Sequence, residues 1–277
     1  MQSSTPQPSR SYQTASASTS HRPARRKRPG GHAGRGGQRV EALARGLKIL
    51  RCFQPGVSSL SNLEISQQTG LPKSTVSRLI STLLSLDCLH YDETSGRYSP
   101  GYGILSLGFG CLASLDVREL VRPQLQALAA TTGAAVALGV FDGQSMTYLD
   151  AVHGSEDLFL RLAVGQRVSL ETAMGKAYLM TQPKDQQQAL WQANRSSAGD
   201  LSLLEAARSD YEASGCCYTI GEWHPSINAV AAPFYMPTGS GPYVMSCGGP
   251  DTLLSEERLR TTVTKQLKEA LSPFQVV

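Results

Sequence analysis

The chain has 277 residues, 40% of them hydrophobic, and a net charge of +4. That length allows about two domains with packed cores, and no run of about 18 apolar residues offers a membrane span. The charge is uneven: residues 1–40 hold eight Lys/Arg and no acid, whereas the other 18 Lys/Arg face 22 Asp/Glu, so an anionic partner is expected at the N-terminal end.

Residues 1–38 are mostly Ser, Pro, Gly, Gln and Arg with little to bury, which reads as a disordered basic tail. Its "HRPARRKRPG" cluster would attract a polyanion, and it lacks the apolar core of a secretory signal. From Val40 the pattern becomes helical, with Val40, Leu43, Leu47 and Leu50 at three- and four-residue spacing. Pro55-Gly56 ends that helix. Ser61 with Glu64 three residues later is a capping box that opens a short helix, and Gly70 closes it. Pro72 suits the first turn of a longer helix running to about Asp87. Two aromatic-containing stretches around Asp92–Gly96 then read as a hairpin. This order is that of a helix-turn-helix followed by a wing. A linker helix is expected over about 103–115, with Leu105, Leu107 and Leu112 as its apolar positions.

The remainder mixes hairpins with helices. A helix near Val117–Thr131 ends at Gly133, and Asp142-Gly143 joins a strand pair. A strand is expected in "LFLRLAV" (158–164), followed by helices over "TAMGKAYLM", after Pro183, and over "DLSLLEAARSDYEAS" up to Gly215. Three β-rich stretches follow, Cys216–Ile220, Ile227–Tyr235 and Tyr243–Cys247, and a last amphipathic helix covers Ser255–Leu271. Strands in hairpins with helices between groups predict an α+β fold whose sheet is largely antiparallel.

The helix after Pro72 carries chemistry. Val76, Leu79, Ile80 and Leu83 share one face, which leaves Ser74, Thr75, Ser77, Arg78 and Ser81 on the other. Short side chains and open amides at a helix N-terminus allow close approach to a DNA groove, and an Arg can pair with a guanine edge. Arg78 is the expected base reader, Lys73 and Ser74 the expected phosphate contacts, with Thr75 and Ser77 beside them. Arg97 in the hairpin is placed to reach the minor groove or backbone. Catalytic signatures are missing: there is no HExxH, GxSxG, Walker loop or GxGxxG. No catalytic residue, metal or cofactor is therefore expected. The six cysteines (Cys52, Cys88, Cys111, Cys216, Cys217 and Cys247) form no CxxC and read as reduced. A redox-responsive regulator using Cys216, Cys217 and Cys247 is the alternative, and it requires an accessible thiol of low pKa.

Residues 40–277 resemble the IclR family of bacterial transcriptional regulators. "ALARGLKILRCF", "TGLPKSTVSRLISTL" and "GRYSPGYGILSLG" are similar to its winged helix and linker. "LRLAVGQRVSLETAMGKAYL" and "AVAAPFY…YVMSCGGP" are similar to its effector domain. The resemblance implies a winged helix-turn-helix domain at 39–101, a linker helix at 102–116, and a GAF-like effector-binding and oligomerisation domain at 117–277. It also implies double-stranded DNA with an inverted-repeat operator, a homodimer or dimer of dimers, and a small organic effector, in the cytoplasm and on the nucleoid when DNA-bound. Carried over residue by residue, the effector pocket would use Met174, Gly175, Lys176, Thr219, Glu222, Ala229 and Ser246. The amides at Gly175 would receive a carboxylate. The second Ser of the family's "S-x-S-G-P" ending is here Gly248, its usual Glu-Glu pair is Gly221-Glu222, and Trp223 and His224 are additions. Fewer polar ligands lean towards a larger or aromatic-type effector rather than a tiny hydrophilic acid, and with the Gly175 amides the expected effector is a small organic molecule of carboxylate or aromatic type.

Overall fold

The computed structural model describes residues 40–54, 56–155, 160–194 and 201–276. The expected basic tail, 1–38, lies outside them. The N-terminal domain runs α1 (Glu41–Leu50), α2 (Asn62–Thr69), α3 (Lys73–Ser85), β1 (Leu89–Asp92) and β2 (Arg97–Pro100). The capping box is present: the Ser61 hydroxyl accepts from the Glu64 N–H, and the Ser61 N–H donates to the Glu64 carboxylate at 2.7 Å. Gly70 ends α2 at a φ of 68°, a left-handed conformation that costs glycine little. Ile49, Leu60, Ile65, Val76, Ile80, Leu83 and Leu89 form one small core. The hairpin is antiparallel from Leu89↔Pro100 to Asp92↔Arg97, and Leu60 adds a bridge to Tyr98. At its exit an added Cβ on Gly101 would lie 2.1 Å from the Asp87 carbonyl oxygen, so only glycine permits this crossing.

Two apolar stripes lie on the outside of the chain. At α1, Leu43, Leu47 and the N-cap residue Val40 are exposed, and the buried residue of the helix is Ile49. The linker helix α4 (Tyr102–Ala113) buries no residue, leaving Tyr102, Leu105, Leu107 and Phe109 exposed. The predicted periodicity marks a face to be covered, but the covering surface is not within the described chain.

The second domain follows as α5 (Asp116–Thr132), β3 (Ala135–Phe141), β4 (Met146–His153), β5 (Arg167–Val168), α6 (Ala173–Met180), α7 (Lys184–Ala193), α8 (Leu201–Ser214), β6 (Cys217–His224), β7 (Ile227–Tyr235) and β8 (Tyr243–Pro250). The chain ends in α9 (Glu256–Arg258), a π-helical turn (Leu259–Val263), α10 (Thr264–Leu271) and β9 (Gln275–Val276). The sheet order is β5-β4-β3-β8-β7-β6, with β9 on β7, and every pairing among the described residues is antiparallel.

Alternate residues of each strand face opposite layers. Val136, Leu138, Val230, Met245 and Cys247 pack towards α5 and α10. Ala137, Ala231, Val244 and Cys217 pack towards α6, α7 and α8. Three expectations change. Residues 160–164 form no strand, and the pairing segment is the two-residue β5 beyond them; residues 158 and 159 lie outside the described part. The last helix contains a π turn, where the Thr264 hydroxyl donates to the Leu259 carbonyl at 2.7 Å. β6 extends past Ile220 to His224 through a bulge.

Gly175 sets how α6 approaches the segment before it. An added Cβ there would lie 2.2 Å from Leu170 Cα and 2.6 Å from its carbonyl carbon, both backbone atoms. Gly175→Ala should therefore destabilise the fold by about 1–3 kcal/mol or more through overpacking. Gly46→Ala in α1, where an added Cβ meets nothing within 4 Å, should stabilise by about 0.5–1 kcal/mol. Denaturant unfolding of the two variants checks both signs.

Candidate functional site

The polar face of α3 is open. Lys73, Ser74, Ser77 and Arg78 are exposed and Thr75 is half-buried, while Val76, Ile80 and Leu83 anchor the opposite face. Pro72 supplies no side-chain cap, so the first amides of α3 stand beside Lys73 and Ser74 as donors suited to an anion. Ser77 is partly committed: it accepts from Asn62 Nδ2 at 3.0 Å and donates to the Lys73 carbonyl at 3.0 Å. Asn62, at the start of α2, thus joins this surface. Nothing in its sequence context distinguishes it from an ordinary first-turn residue.

Arg97 is engaged within the fold. Its guanidinium donates to the Ser59 hydroxyl and carbonyl at 3.0 and 3.1 Å and pairs with Glu64 at 2.9 Å. These bonds fasten the wing to α2. The wing tip is acidic and self-bonded, with Asp92 accepting from the Thr94 N–H and the Ser95 hydroxyl, a poor surface for phosphate.

In the second domain a small pocket, a cavity of about 50 Å³ open on one side, lies between α6 and the sheet. Of the residues expected at the effector site, Met174, Thr219, Ala229 and Ser246 line it. The sequence reading missed Tyr148, Leu160 and Leu162, which join these four only through the fold. Trp223 also lines the pocket although it is half-exposed. The His153 ring holds this region: its Nε2 accepts from the Leu162 N–H at 3.1 Å, and burial lowers its pKa.

Gly175, Lys176 and Glu222 do not line the pocket. The Gly175 N–H donates to the Thr172 hydroxyl at 3.3 Å, so that amide serves the helix cap and the glycine serves packing. Lys176 is buried; its ammonium donates to the Tyr218 carbonyl at 3.2 Å and pairs with Glu222. Both charges are thereby turned to each other, because a lysine taken out of water requires a partner.

The thiols do not meet the redox requirement. Cys216, Cys217 and Cys247 are fully buried. Burial pushes the Cys216 and Cys247 thiols up to about 11 and raises Cys217 as well. Cys216 and Cys247 face α5 and α10, on the side of the sheet away from the pocket.

The family model described as "Bacterial transcriptional regulator IclR C-terminal" matches residues 109–273, and "IclR helix-turn-helix domain" matches residues 42–93. The HTH-type transcriptional regulator TsaQ1/TsaQ2 of Comamonas testosteroni is 31% identical over 246 residues, spanning 85% of this chain and 87% of its own. The HTH-type transcriptional repressor AllR of Klebsiella pneumoniae is 26% identical over 243 residues, spanning 84% and 89%. An IclR family transcriptional regulator from Brucella abortus has a similar structure, with a TM-score of 0.76, 39% identity and coverage of 85% and 91%.

Two outcomes follow from these geometries. The Ser61 N–H, the Ser61 hydroxyl and Arg97 lower the Glu64 carboxyl from 4.5 to about 2. A depressed folded-state pKa stabilises above the unfolded value and ceases to do so as pH falls through the folded one. The melting temperature should therefore favour wild type over Glu64→Gln at pH 7, and the gap should close between pH 4.5 and about 2. Iodoacetamide at neutral pH should leave Cys216, Cys217 and Cys247 unmodified in the native protein, as read by peptide mass spectrometry, and modify them on unfolding.

Proposed function

This chain belongs to the IclR family of transcriptional regulators, DNA-binding proteins with a C-terminal effector-binding domain rather than enzymes, and we propose that α3 reads its operator while the pocket beside α6 receives the effector. The observation that carries the DNA half is the polar face of α3: Lys73, Ser74 and Arg78 are exposed while the apolar face is locked into the core. Arg78 reads a base edge, Lys73, Ser74 and Thr75 contact phosphate, and Ser77 orients Asn62 beside them. Arg97 acts through Glu64, as a support for the wing.

The division is a winged helix at 39–101, a linker at 102–116 and an effector domain at 117–277, with the tail at 1–38 adding non-specific attraction to DNA. The protein works in the cytoplasm as a homodimer or dimer of dimers on an inverted repeat. Two symmetry-related α3 helices then read two half-sites. The exposed stripes of α1 and α4 support self-association, since contiguous apolar surface of this kind is costly to leave in water. The effector is a small organic molecule of carboxylate or aromatic type. It acts by binding one arrangement of the DNA-binding domains better than another, a coupling of about 1–3 kcal/mol.

Arg78→Ala should weaken binding to a selected DNA site by about 1–3 kcal/mol and relax preference at one base position. An equal loss on random DNA, read by fluorescence anisotropy, would make it a phosphate contact instead. Leu107→Asp should shift the protein towards monomer in sedimentation equilibrium; an unchanged mass would exclude α4 from the interface.

A further inference from the structure

The pocket is unlike a site for an acid. Its floor is flat and small: Thr219, Ala229 and Gly248 lie in one row across β6, β7 and β8, paired Thr219↔Ala229 and Ala229↔Gly248. An added Cβ on Gly248 would sit 3.3 Å from the Ala229 Cβ, so the row stays low only because that position has no side chain. Tyr148, Met174 and Trp223 stand around this floor.

The polar groups are hydroxyls. Thr219 Oγ1 is buried and has no hydrogen-bond partner, a desolvated donor and acceptor on a residue that lines the pocket. Ser246 on β8 is also buried and faces the same space. No Lys, Arg, His, Asp or Glu side chain among the described residues lines the pocket. Lys176 is committed to Glu222 and to the Tyr218 carbonyl. The Thr172 hydroxyl already accepts from the amide of Gly175 at the start of α6. A carboxylate entering here would lose its water without gaining a cation.

The chain next to Trp223 is held from two sides. Glu222 beside it pairs with Lys176, and the Gly221 N–H donates to Asn228 Oδ1 at 3.0 Å with Gly221 at a φ of 65°. Trp223 is half-exposed at the pocket rim, where a bound ring would cover part of the indole.

We propose that the pocket takes an uncharged aromatic molecule bearing a hydroxyl or carbonyl group, its ring against Trp223 and its polar group bonded to Thr219 and Ser246. This rests on the effector-pocket reading above and narrows it to the aromatic type, setting the carboxylate aside.

The test is a titration of the full-length protein with acetophenone, benzyl alcohol, benzoate and pyruvate, followed by calorimetry and tryptophan fluorescence. The chain has two tryptophans, and Trp191 is buried away from solvent, so a change in emission on ligand binding is assigned with Trp223→Leu. At least one neutral aromatic should bind about tenfold more tightly than benzoate or pyruvate. Thr219→Val should weaken that ligand about tenfold, and Trp223→Leu should abolish the emission change. Circular dichroism melts check that both variants fold; if Thr219→Val does not, Trp223→Leu and the ligand ranking decide. Benzoate or pyruvate binding as tightly as the neutral rings, or no binding by either neutral ring, overturns the proposal. Affinity for a DNA site selected from random sequence separates the two readings. A neutral ring that binds without altering DNA affinity refutes the effector role and leaves the ligand chemistry standing. An acid that binds and alters DNA affinity does the reverse.

Discussion

The Lys176 ammonium lies almost wholly out of water between α6 and β6, where the Tyr218 carbonyl and the Glu222 carboxylate receive it. A charge so placed must keep its partners, because leaving it alone in the interior costs several kcal/mol (roughly 3–5 for a broken buried pair, less here because Glu222 is one-third exposed). The pair therefore ties α6 to the outer strand of the sheet. Gly175 beside it admits the Leu170 backbone at a separation that no other residue would tolerate. Together these contacts set the height of α6 above the sheet, and that height is the pocket. Glu222 lies next to Trp223, so the pair also ties the bulge at the pocket rim to α6.

The winged helix uses a polar node in the same way at smaller scale. Glu64 closes the capping box of α2 with one oxygen pair and accepts Arg97 from the wing. Ser59, just before α2, accepts from Arg97 Nε through its hydroxyl and from Nη2 through its carbonyl. Hydrophobic burial supplies cohesion, since Ile49, Ile65, Val76 and Ile80 are all but fully enclosed. Non-directional burial does not decide where a wing points; the directional bonds of Arg97 do. Arg78, by contrast, is exposed and has no such side-chain partner among the described residues.

The outward stripes of α1 and α4 connect the two halves of the argument. A single chain leaves Leu43, Leu47, Leu105 and Leu107 in contact with water, although their spacing is that of residues meant to be covered. Self-association through these helices would bring two DNA-reading helices under a common constraint. The linker would then be the element by which a change around the effector pocket reaches the operator.

The sequence by itself determined the elements whose signals are local. The capping box at Ser61 and Glu64, the left-handed glycines at 70 and 133, and the Asp142-Gly143 turn each act within a few residues, so helix ends and hairpins were legible. The open face of α3 was legible too, because helical periodicity assigns faces without any knowledge of neighbours. Family resemblance brought four pocket residues into view, Met174, Thr219, Ala229 and Ser246. What only the tertiary structure decided is direction. Arg97 turns inward because Glu64, 33 residues earlier, is waiting for it. Lys176 leaves the pocket because Glu222, 46 residues later, neutralises it. Cys216 and Cys247 fall behind the sheet by the two-residue alternation of strands whose pairing is non-local. Side-chain direction depends on long-range partners, and a linear pattern holds no distance between them.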